Sequence, residues 1–252
     1  MISMALSVSR LKPKVGFSHL FHISFNIVLP ILVFILVRTN FSELALALIL
    51  LSKWRMLAVK PRYWLVNLRA NAVDIMVAVS LLIFMTHTAS YVWQLGWAAF
   101  YMIWLLFIKP GSNILLVSAQ AFIGQVLGLT GLFLWLSGAP LYQLIIAVWI
   151  VCYLSARHFF TVFEEAFSSL YSHTWGYFAA SLTWVLGHWL LFYSFIAQPT
   201  LLLSVIGMGV GSLYYLTQID KMNNLVRKQI ILILVAVIII VLVFSNWSSK
   251  IV

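Results

Sequence analysis

Apolar runs of bilayer length follow one another along this chain, and its cations fall almost wholly on one side of the zigzag they trace. Hydropathy draws nine runs: 20–37, 41–57, 70–85, 91–108, 113–137, 141–163, 176–197, 200–217 and 229–244. A helical crossing takes about 20 apolar residues, or slightly fewer where flanking side chains snorkel. Threading the chain through these runs puts Arg10, Lys12, Lys14, Lys53, Arg55, Lys60, Arg62, Arg69, Lys109, Arg157, Lys221, Arg227 and Lys228 on the amino-terminal side. Only Arg38 and Lys250 fall on the other. Charge played no part in drawing the runs, so the asymmetry supports them independently. Cytoplasmic loops retain Lys and Arg, which predicts an amino terminus inside and a carboxyl terminus outside.

The expected fold class is therefore all-α, a polytopic transmembrane helical bundle. A chain that is 64% hydrophobic and 8% charged cannot hide its apolar surface inside a water-soluble globule of 252 residues. The boundaries read as a basic cytoplasmic segment over 1–19, one integral membrane domain over 20–244, and a short extracytoplasmic tail over 245–252. Cytoplasmic segments are expected near 52–69, 109–112, 164–175 and 218–228. The run over 41–57 is strongly apolar only over 44–51 and the run over 70–85 begins beside Asp74; without these two, seven crossings remain with the same orientation at each end. The last run, almost wholly Ile, Leu and Val, belongs at the lipid-facing periphery. The expected location is the plasma or inner membrane, with the lipid bilayer as the first partner.

The formal charge of +10 does not point to nucleic acid, because the cations sit between bilayer-length runs. Cys152 is alone, so neither a disulfide nor a cysteine metal site is available, and no motif asks for a cofactor. Gly207-Met208-Gly209-Val210-Gly211 lacks the preceding strand and the lysine of a phosphate loop. No internal repeat relates the first four runs to the next four.

Ionisable groups within a membrane are costly, so their positions are the best functional pointers. Arg157, His158, Glu164 and Glu165 close the sixth run. On a helix continuing through them, Arg157 and Glu164 share one stripe and His158 and Glu165 the next, giving two acid–base pairs. Such pairs suit a proton relay or a general base; equally, they suit a helix end whose charges neutralise one another. In the seventh run His173 and His188 fall on one face, with His188 near the bilayer middle, as a hydrogen-bonded core histidine or a reactive group. His19 and His22 open the first run as interfacial residues or a weak metal pattern.

Glu164-Glu165 followed by Trp184-x-x-x-His188 resembles part of the pattern of the CAAX-protease and bacteriocin-processing family of intramembrane glutamate proteases. That resemblance would imply glutamate and histidine side chains converging between helices. Ser169 stands where the family's arginine belongs, and no histidine follows His188, so the third element is absent and membership is not assigned.

Asp74 opens the third run, where the helix dipole favours a carboxylate and Arg69 or Arg62 is the expected partner. Asn26 precedes Pro30 by one turn, which frees its carbonyl and predicts a kink. Gln125, with Gln120 and Ser118, points inward from the fifth run. Gly124, Gly128 and Gly131 in that run, and Ser204, Gly207 and Gly211 in the eighth, form small-residue stripes that let helix backbones approach closely. The stretch 60–69 combines aromatics with arginines, as an interfacial helix or an anchored basic connector.

Three functions fit. The first is a small transporter or permease-like protein with a polar lining drawn from Asn26, Gln125, Arg157, Glu164, Glu165 and His188. The second is a non-catalytic assembly subunit that binds other membrane proteins or itself. The third is an intramembrane enzyme with a Glu/His site at the cytoplasmic leaflet.

Overall fold

The computed structural model describes residues 17–56, 58–189, 192–193 and 196–244. The leading segment with Arg10, Lys12 and Lys14 and the tail with Lys250 lie outside the described residues, as do the side chains of His19 and His22. Among the described residues the fold is all-helical apart from one short hairpin. Five helices are long and apolar enough to cross a membrane, or six if a bent pair makes one crossing.

The first half of the chain builds one layer. α1 (Phe17–Arg38) continues as helix through Pro30. α2 (Ser42–Leu51) has ten residues, about 15 Å at helical rise, short of a bilayer core. The expected second crossing over 41–57 is thus not a single straight helix. The short α3 (Trp64–Ala70) leads into α4 (Ala72–His87), and the axis bends by 63° where the two meet. α5 (Tyr91–Ile103) runs on into a π-helical stretch, Trp104–Ile108. Leu29, Val33, Ile49, Val77, Leu81, Met85 and Tyr101 form the core shared by α1, α2, α4 and α5.

The second half packs α6 (Ile114–Trp135), α7 (Leu141–Thr161), α8 (Ser168–Leu186) and α9 (Gln198–Gln218) around Leu129, Phe133, Val148, Cys152 and Leu203. Between α8 and α9, β1 (Phe192–Tyr193) and β2 (Ile196–Ala197) pair antiparallel. α8 starts at Ser168, not near 176, and ends at Leu186. Ser168 to Trp175 is too polar to register as an apolar run, yet it packs along α7 as the first two turns of the helix. α10 (Asn224–Val243) lies against α9 and buries no residue, as its uniform Ile, Leu and Val surface anticipates.

Small residues bring the two halves together. A Cβ on Gly124 would sit 2.7 Å from Val73 Cγ1, and one on Gly131 3.0 Å from Ser80, so this stripe of α6 lies directly on α4. Gly128 faces Val151 of α7 at 3.0 Å. The α9 stripe behaves differently: Gly207 abuts Gln125 and Gly211 faces open space. Close approaches outside the predicted stripes include Gly209 against Leu234 of α10 and Gly176 against Trp149 of α7.

Candidate functional site

Two arrangements, one polar and one mainly apolar, occupy the basic end of the bundle. The first centres on Asp74, in the first turn of α4 and 6% exposed. Its partners are neither Arg69 nor Arg62. Asp74 Oδ2 is paired with the buried Lys53 ammonium and lies 2.6 Å from Lys109 Nζ, while Trp104 Nε1–H donates to Oδ1 at 3.0 Å. Lys53 and Lys109 come from the two loops that the charge zigzag assigned to one side, and here they meet. The π turn explains how α5 supplies two partners. Five residues apart on an α-helix, Trp104 and Lys109 would point about 140° away from each other. The wider turn, closed by Lys109 N–H donating to Trp104 O at 2.8 Å, brings them toward one face.

A second chain of hydrogen bonds ties α6 to this loop. Gln120 Nε2 donates to Ile108 O at 2.6 Å and Gly111 O at 2.9 Å, backbone carbonyls at and just past the end of the π turn. Its Oε1 is left to accept, so the 3.0 Å contact from His158 Nε2 makes that ring nitrogen the protonated one.

The other arrangement is an open-sided cavity of about 750 Å³ lined by α6, α7, α8 and α9. Its walls are mainly apolar and aromatic, including Phe122, Phe159, Trp175 and Met208. The lining comes from the first half of α6 and α8 and the last half of α7 and α9, so the space opens within the basic half of the bundle. α8 lies along α7 for much of its length but meets α9 at few points, which leaves a lateral gap between α8 and α9. Gln125 sits deepest, about 16 Å from the start of α6 at helical rise. Its Oε1 accepts from Trp175 Nε1–H at 2.9 Å and its Nε2 donates to Leu203 O at 3.1 Å, fastening α8 and α9 to α6. Gly207 makes this possible, because a Cβ there would lie 2.9 Å from Gln125 Nε2. Gly211, one turn on, has nothing within 4 Å of its notional Cβ: it faces the cavity. Tyr214 stands at the mouth with its ring edge against Phe160 and Phe163, both at 5.2 Å, and its hydroxyl donates to Glu165 Oε2.

The predicted acid–base pairs do not form. α7 ends at Thr161, and Glu164 takes a left-handed conformation (φ 51°) in the turn that follows, so neither helical stripe extends to the glutamates. Arg157 instead donates to Ser168 Oγ at the start of α8, and Glu164 is exposed. His173 stacks among Trp149, Tyr153 and Tyr177 on the α7 side of α8, away from the cavity. His188 is not near the middle of a crossing. It sits in a 3-10 turn past the end of α8, exposed, with Nδ1 2.8 Å from Trp184 O. Since α8 has 19 residues, about 28 Å of helix separates His188 from the glutamates. The glutamate–histidine convergence that an intramembrane protease needs is absent for this pair. Asn26 lies on α1, in the other layer. Of the polar lining expected for a permease, Gln125 alone reaches the cavity wall, with Glu165 joined to its mouth through Tyr214.

Lys53 and Lys109 escaped the sequence reading because they lie 21 and 35 residues from Asp74 and no local spacing links them. Among the described residues, no group of three or more His, Cys, Asp or Glu side chains is placed to hold a metal ion. Comparison of the chain with protein-family models, characterised proteins and solved structures finds no match.

Proposed function

We propose that this protein is a multi-spanning membrane carrier that takes up a hydrophobic molecule between α6, α7, α8 and α9. The observation that carries this reading is the cavity itself. A space of about 750 Å³ with apolar walls falls in the size range of small-molecule sites. Its lateral gap gives a lipid-soluble molecule a route from the bilayer that never crosses water. The lining disfavours an ion or sugar as cargo, because its polar groups are few and Gln125 spends one donor and one acceptor on holding helices together. In this reading the basic end is cytoplasmic, which the clustering of cations there supports, and the cargo enters from that leaflet of the plasma or inner membrane.

Mass spectrometry of small molecules that copurify with the full-length protein in native membrane discs tests the proposal. Wild type is expected to carry a hydrophobic occupant, and Gly211→Leu, which grows into open space, to lose most of it. Equal occupancy in both would reject the cavity as the binding place. Proteoliposome exchange of the identified molecule then separates a carrier from a passive binder. A second reading, an assembly subunit, is favoured by α10, whose apolar surface packs on α9 and buries nothing. A monomer with no copurifying protein on native electrophoresis would count against it.

A further inference from the structure

The cavity walls carry a small set of polar atoms whose state constrains the occupant. Ser155 is 2% exposed, lines the cavity from α7, and its Oγ has no hydrogen-bond partner among the described residues. Ser118 Oγ, on the α6 wall, is buried and unpartnered as well. Ser155 stands six residues before the end of α7, about 9 Å inward at helical rise, against about 6 Å for Tyr214 from the end of α9. Gln125, deeper still, keeps one amide hydrogen and one lone pair beyond the two bonds described above. A buried hydroxyl without a partner costs about 1–3 kcal/mol, so an occupant that offers it a hydrogen bond is favoured over a bare hydrocarbon.

Charge narrows the class further. Among the lining residues there is no Asp, Glu, Lys, Arg or His. The nearby charged groups are engaged elsewhere: Glu165 accepts from Tyr214 at the mouth, and Arg157 donates to Ser168. An ionised head at the depth of Ser155 would therefore be desolvated with no counter-ion, a cost of several kcal/mol. A neutral hydroxyl or carbonyl meets no such penalty.

We infer that the occupant is a long-chain amphiphile that inserts a neutral hydrogen-bonding group, a hydroxyl or a carbonyl, to the level of Ser155 and Ser118. This inference rests on the cavity being the binding place.

Three eighteen-carbon probes with a diazirine at the same mid-chain carbon separate the possibilities: an alcohol, the corresponding carboxylate at pH 8, and the hydrocarbon. Each is photolysed with full-length protein in membrane discs, and the labelled residues are read by peptide mass spectrometry. In wild type the alcohol is expected to label the cavity lining at least ~5-fold more than hydrocarbon or carboxylate, the ratio set by one rescued buried hydrogen bond. Ser155→Ala, which removes the hydroxyl without filling space, is expected to bring the alcohol down toward the hydrocarbon level while hydrocarbon labelling holds. Hydrocarbon labelling equal to the alcohol in wild type, or carboxylate labelling above it, would overturn the inference and leave the cavity reading standing. Labelling unchanged in Gly211→Leu for all three probes would defeat the cavity reading itself. A retained melting profile for Ser155→Ala confirms that its effect is local.

Discussion

Replacing Asp74 by Asn keeps the shape of the side chain and removes its charge, which makes it a sharp probe of how the basic end is held together. Lys53 is 7% exposed and paired with this carboxylate, so its ammonium cannot reach water without moving the turn after α2. Stripping one partner from a buried pair costs about 3–5 kcal/mol, because the remaining charge is left desolvated. Lys109 adds less: its side chain is 37% exposed and can turn to solvent, where a pair contributes about 1 kcal/mol or under. Asp74→Asn is therefore predicted to lose about 3–5 kcal/mol, set by Lys53. The same reasoning predicts rescue. In Asp74→Asn combined with Lys53→Met no orphan charge remains, and buried pairs replaced by apolar groups are often neutral in stability. Unfolding free energies in mixed micelles titrated with dodecyl sulfate measure both variants. A single variant within about 0.5 kcal/mol of wild type, the range of an ordinary surface substitution, would refute the reasoning. So would a double variant no more stable than the single.

Other outcomes follow from the same contacts. Trp104→Phe removes the donor to Asp74 Oδ1 while keeping an aromatic ring, and is expected to cost about 1–3 kcal/mol in the same titration. Gly124→Leu forces a side chain into Val73 and should destabilise by about 1–3 kcal/mol or more. Gly96→Ala, with nothing within 4 Å, should stabilise α5 by about 0.5–1 kcal/mol. Native Cys152 is fully buried, so single cysteines report sidedness cleanly. Glu164→Cys is expected to react with an impermeant maleimide only from the cytoplasmic face and Gly138→Cys only from the opposite face; both reacting from one side would break the topology.

The helical membrane class was legible because it depends on composition and run length, which are properties of the chain alone. The α6 stripe of Gly124 and Gly131 could likewise be seen, since a repeat of small residues places a bare face whatever the partner is. The Asp74 cluster could not be seen. It depends on a π turn that rotates Lys109 toward Trp104 and on two loops meeting across the bundle, neither of which leaves a local signature. The glutamates misled for a related reason: spacing predicts a shared stripe only while the helix lasts, and α7 stops at Thr161. His188 was misplaced because hydropathy starts a crossing where apolar density begins, near 176. Packing against α7 starts α8 two turns earlier, and that shift carries His188 from the middle of a helix to the turn past its end. The cavity has no sequence signal at all, since it is the space four helices fail to fill.

A high-resolution map of the full-length protein in lipid discs is the most direct test of whether that space is a binding place. Elongated density between α6 and α9, passing Gly211 and ending against Ser155, is the predicted result. Side chains of α8 and α9 closed over an empty or water-filled gap would contradict it.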